Sequence, residues 1–114
     1  MKTRYYLRLP EPATARGPDP ALAFRSVGAE GLAAELQDAL RTASLFARWQ
    51  ATLEDPDDAD ASLGVTDPDA VVTGNHADLH VDLVATTSLP GAVFKHRLRL
   101  LAGNHWQLRD VTAG

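Results

Sequence analysis

The chain reads as an α+β domain: an antiparallel sheet of four or five strands with one or two helices packed on one face, in the order β(β)α(α)βββ. Three observations predict it. Residues 79–85 and 94–100 alternate apolar and polar side chains, the mark of strands with one wet face. Thr3 to Leu9 alternates too, with Tyr5, Leu7 and Leu9 on one side and Arg4, Tyr6 and Arg8 on the other. Between these regions leucine and alanine recur at Leu32, Leu36, Ala39, Leu40, Ala43 and Ala47, the spacing of an amphipathic helix. A chain of 114 residues makes one domain of this kind.

Taken in order, the first strand ends at Pro10-Glu11-Pro12, because proline donates no ladder hydrogen bond. Gly17-Pro18-Asp19-Pro20 is a loop by its turn chemistry, and Ala21 to Ser26 is expected as a short second strand with Leu22 and Phe24 inward. The helical stretch runs from Ala29 to Leu53, as one bent helix or two. Glu30 lies against the positive end of its dipole. Thr42 or Ser44 is placed to cap a second helix carrying Leu45, Phe46, Trp49 and Leu53. Residues 54–69 hold Glu54, Asp55, Asp57, Asp58, Asp60, Asp67 and Asp69 without a lysine or arginine, an acidic surface loop. Val71-Val72-Thr73 then pairs with the following strand across a turn at Gly74-Asn75.

Three successive strands are expected from Ala77 to Val111. A loop at Pro90-Gly91 sets Leu83 opposite Leu98, Val81 opposite Leu100 and Asp82 opposite Arg99. A second loop at Ala102-Gly103-Asn104 sets Leu98 opposite Leu108 and Leu100 opposite Trp106, so every large apolar side chain faces the helices. The same register gathers Arg4, Arg8, Lys95, Arg97, Arg99 and Arg109 on the wet face as the expected binding surface. Arg97 opposite Arg109 is repulsive, so water, Asp82, the acidic loop or an anionic partner is expected to offset it. A protein partner or a second copy fits better than nucleic acid. The net charge is −4, only Tyr6 offers a ring for stacking, and the RNA-binding sheet signature is missing.

Other chemistries are poorly served. Without cysteine there are no disulfides, no thiolate nucleophile and no sulfur-ligated zinc. The opening MKTRYYLRLP has no apolar signal-peptide core, and no run approaches a membrane span of about twenty residues, so the cytoplasm is the expected address. No glycine-rich phosphate loop occurs and no cofactor is expected. The acidic run fails the calcium-loop pattern, lacking its central glycine and closing glutamate. His76, Asp78, His80 and Asp82 share one parity, but catalytic zinc needs three ligands close together, and no metal is expected. Catalytic chemistry rests on His96 with Asp110, paired across the last two strands, or on His80 with Asp82. Neither has a nucleophile at a recognisable spacing. A small non-enzymatic binding or accessory protein is therefore expected, with a hydrolase or isomerase using a His–Asp pair and a nucleic-acid module as alternatives.

Overall fold

The computed structural model describes residues 2–114. Its elements are β1 (Thr3–Leu9), α1 (Ala29–Arg41), α2 (Ser44–Gln50), β2 (Val71–Ala77), β3 (His80–Thr87), α3 (Gly91–Ala102) and β4 (Gln107–Ala113). The strands form one sheet in the order β2-β3-β1-β4, each neighbouring pair antiparallel. The class is α+β, with four strands and the helices on one face, as the sequence predicts.

Strand order decides how the elements must connect. With β1 antiparallel to both β3 and β4, those two run parallel to each other with β1 between them. By the same logic β1 and β2 run parallel with β3 between them. The result is two interleaved split β-α-β units. A parallel return needs a crossover rather than a hairpin. The α1–α2 pair sits in the first crossover and α3 in the second.

The second crossover overturns the expected three-strand ribbon. Residues 94–100 lie within helix α3, whose buried positions are Val93, Phe94, Arg97, Leu98, Leu101 and Ala102, the 3.6-residue rhythm of a helix. The expected pairings of Leu98 and Leu100 with Leu83, Val81, Leu108 and Trp106 are therefore absent. Leu83 instead faces Leu7, Asp82 faces Arg8 and Val81 faces Leu9, while Leu108 flanks Leu7 from the other side. Trp106 precedes β4 and donates its indole N–H to the Gly103 carbonyl at 2.9 Å.

Two smaller expectations also give way. The β2–β3 turn is at Asp78-Leu79, not Gly74-Asn75, with Asp78 in the left-handed region (φ 55°) that aspartate tolerates. Gly74 is needed within the strand, since a Cβ there would lie 2.4 Å from the Ala29 carbonyl oxygen where β2 passes under α1. Residues 21–26 are not a strand. Their backbone is satisfied elsewhere: Phe24 N–H by the Leu101 carbonyl ending α3, and Arg25 and Ser26 N–H by the Glu35 carboxylate. Leu22 and Phe24 still point inward and are buried.

The helical stretch divides into two, α1 and α2, at Thr42-Ala43. The Thr42 hydroxyl donates to the Asp38 carbonyl and accepts from Ser44 N–H at 3.4 Å. The core lies between sheet and helices. Tyr5, Leu7, Leu9, Val81, Leu83 and Ala85 meet Leu32, Leu36 and Leu40 of α1 and Phe94, Leu98 and Leu101 of α3. Tyr5 and Phe94 stack with ring centroids 4.2 Å apart. Each fully buried leucine or phenylalanine contributes roughly 1.5–3 kcal/mol. A one-residue slip of β1 would trade Tyr5, Leu7 and Leu9 for Arg4, Tyr6 and Arg8, so the register is firmly held. Among the described residues no helix is long and apolar enough to cross a membrane.

Candidate binding surface

The helices cover one face of the sheet and leave the other open. Alternation along β1 puts Arg4, Tyr6 and Arg8 on that open face, because Tyr5, Leu7 and Leu9 are the buried set. β3 adds His80, Asp82, Val84 and Thr86, and β2 adds Val71, Thr73 and Asn75. Across its middle lies a shallow hollow of about 390 Å³, lined among others by Tyr6, Arg8, Thr73, Asn75, Asp82 and Arg109.

Charge on this face is organised around Asp82. Arg8 Nε donates to its Oδ1 at 3.0 Å, and His80 Nε2 stands 3.4 Å from its Oδ2. Partial burial raises the Asp82 carboxyl, but the Arg8 hydrogen bond and charge, with His80 behind them, outweigh it and hold the group below the usual carboxylate value. Arg4, and after it Thr112, hold the Tyr6 phenol below its ordinary value. Among the described residues neither Arg4 nor Arg109 forms an ion pair. A ring at the centre of an open sheet thus has Arg4 against its phenol and shares the hollow with Arg109, and among the described residues no carboxylate holds either guanidinium.

The expected six-residue basic surface divides in two. Arg4, Arg8 and Arg109 share the open face. Lys95, Arg97 and Arg99 belong to α3 on the covered side, so Arg97 does not oppose Arg109. Arg97 is fully buried. Its Nη1 donates to the Ala39 carbonyl at 2.9 Å, and its Nη2 to the carbonyls of Leu63, at 3.0 Å, and Val65. Among the described residues no carboxylate pairs with it; three carbonyls accept its hydrogen bonds, one of them near the negative end of the α1 dipole. Burial pushes its pKa below the ordinary arginine value. Through this side chain the acidic segment is tied to the helical layer instead of folding over the arginine face.

This chain matches no family model, no curated protein and no solved structure.

The His–Asp candidates fare differently. His80 and Asp82 do come together, but the carboxylate is engaged by Arg8. His96 and Asp110 do not pair: His96 packs edge-on against Trp49, centroids 4.5 Å apart, while Asp110 lies on β4 opposite Tyr6. The expected common face of His76, Asp78, His80 and Asp82 is broken by the turn at Asp78. His76 Nε2 instead accepts from Ala29 N–H, at 3.3 Å, at the start of α1. Among the described residues no three His, Asp or Glu side chains come together to hold a metal ion. The sequence reading missed Asp67. It is buried in the loop before β2 and accepts from Ser88 N–H and the Thr87 hydroxyl, each at 2.8 Å. Its setting, Val65-Thr66-Asp67-Pro68, offered no signal beyond a proline that follows an aspartate.

Proposed function

We propose that this is a small non-enzymatic binding protein that receives an acidic protein segment on the open face of its sheet. The observation that carries the reading is Tyr6 in the middle of that face, with Arg4 against its phenol and Arg109 lining the same uncovered hollow, neither arginine held by a carboxylate among the described residues. An aromatic ring gives apolar contact at low entropic cost, and arginine pairs with carboxylates in a bidentate geometry. The tying of Asp82 by Arg8 argues against a general base at His80.

Titration of a polyglutamate peptide followed by NMR tests this. The peptide is expected to shift Tyr6 and Arg8 side-chain signals and to bind more weakly as salt rises. Arg4→Glu and Tyr6→Ala should each weaken it by about tenfold or more. Absence of binding, or shifts confined to Lys95 and Arg99 on α3, would overturn the reading.

A further inference from the structure

The two edges of the sheet are finished differently. Along β2, helix α1 takes up outward-facing groups. Gln37 Oε1 accepts from Val72 N–H at 3.1 Å, and Arg41 Nε donates to the Ala70 carbonyl at 2.6 Å. That edge is blunted in the way sheets usually protect themselves. β4 lacks such cover. All seven of its residues are exposed, with Leu108 at 39% and Val111 at 46%. Its one side-chain cap among the described residues is local: Asp110 Oδ1 accepts from the neighbouring Val111 N–H at 2.8 Å.

β4 also carries a bulge. Leu7 of β1 faces Leu108 and Tyr6 faces Asp110, so Arg109 is an extra residue at that step. Arg109 lines the open-face hollow with Tyr6. Leu108 and Val111 share the helix-side face with Leu7 and Tyr5, while Gln107, Arg109, Asp110 and Thr112 share the open face. Read from either end, the sequence of faces is the same: open, helix-side, open, open, helix-side, open. Gly114 N–H bonds to the Lys2 carbonyl, so by ladder alternation Val111 turns its main-chain groups to the free edge. The extra residue brings Leu108 into the same free-edge set.

We infer that β4 pairs with β4 of a second copy, antiparallel about a two-fold axis at the Arg109–Asp110 peptide bond. Each Leu108 then opposes a Val111, and each Arg109 opposes an Asp110, twice over. The Val111 N–H passes from the Asp110 carboxylate to the second copy's Leu108 carbonyl, and that carboxylate turns to the opposing guanidinium. A bulge ordinarily discourages edge pairing. Here it lies at the symmetry centre of both strands, so the residue count matches. Without it, Leu108 and Val111 would fall on opposite faces and no symmetric pairing could oppose them. The product is one eight-stranded sheet, an isologous contact of the kind most dimers use. This goes beyond the acidic-segment reading and shares Arg109 with it, the dimer leaving Arg4 and Tyr6 to receive the segment; that reading is therefore tested at Arg4 and Tyr6, and this one at Arg109 and Asp110.

Sedimentation of the full chain should show a dimer. Arg109→Asp alone sets aspartate against aspartate, and Asp110→Arg alone sets arginine against arginine. Each should weaken self-association by about tenfold or more. Mixing the two variants restores opposite charges at both positions, so a heterodimer should form where neither variant dimerises alone. Amide exchange at Leu108 and Val111 should slow in wild type and in the mixture and be fast in either single variant, with unchanged circular dichroism showing that each is folded. A wild type that stays monomeric at millimolar concentration, single variants that dimerise like wild type, or a mixture that stays monomeric would overturn the inference.

Discussion

Replacing Arg97 with methionine keeps an unbranched apolar stem and removes the guanidinium. Three hydrogen bonds go with it, to Ala39, Leu63 and Val65. Bonds from a charged donor contribute about 1.5–3 kcal/mol each. Against that loss stands the relief of no longer burying a cation, several kcal/mol. The Leu63 and Val65 carbonyls can find water if the acidic segment lifts away, but Ala39 is buried within the helical layer. A net loss of about 3 kcal/mol is the expected balance. For a chain of this length total stability is about 6–17 kcal/mol, so the variant folds but melts about 12 °C lower. Thermal unfolding by circular dichroism reads the global effect. Amide exchange at Asp67, whose N–H donates to the Leu40 carbonyl at 2.9 Å, reads the local one. An unchanged melting temperature together with unchanged Asp67 protection would refute the claim that Arg97 holds the loop.

Other expectations can be checked alongside. Burial pushes the Asp67 carboxyl up, but Ser88 N–H, the Thr87 hydroxyl, Asp69 N–H and the Lys2 ammonium outweigh it and hold the group down to about 2, against 3.8 when unperturbed. Its contribution to stability, about 1 kcal/mol after allowance for solvent screening, is present above the unfolded value and lost as pH falls from about 4 to about 2. Asp67→Asn should flatten the acid limb of the denaturation profile over that window. Burial, then Arg99 and Arg97, hold the His96 imidazole below its ordinary 6.5. The unfolded chain therefore takes up that proton first, and stability falls as pH drops through that value. NMR titration should find the His96 midpoint below 6.5, and Trp49→Ala, which opens the site to water, should raise it. Gly17→Ala would place a methyl 2.2 Å from the Leu100 carbonyl oxygen, and urea unfolding should show a loss of about 2 kcal/mol or more.

The layers of the fold were legible in the sequence because local pattern and burial agree there. β1 alternates cleanly, and α1 carries its apolar stripe at Leu32, Leu36 and Leu40. α3 was not legible, and one residue is responsible. Arg97 occupies a core position of the helix, and its charge interrupts the 3.6-residue rhythm that runs from Val93 before it to Leu101 after it. What is left of the pattern, Phe94, Leu98 and Leu100, has a period of two. Half of the candidate surface was misplaced for the same reason, since Lys95, Arg97 and Arg99 moved with the helix. Arg4, Arg8 and Arg109 kept their common face because β1 is a true strand and β4 pairs with it. The β2–β3 turn was hidden by Gly74, a glycine required by close approach to α1 and not by chain reversal.

The central position of β1 has a temporal consequence. Its ladder partners are Val81 to Thr87 on one side and Gln107 to Ala113 on the other, all more than seventy residues further along. A ribosome would release the first strand long before either neighbour exists, leaving both of its edges bare throughout synthesis. Long-range closures of this kind slow folding and lengthen the interval in which an unsheltered ribbon can find the wrong company.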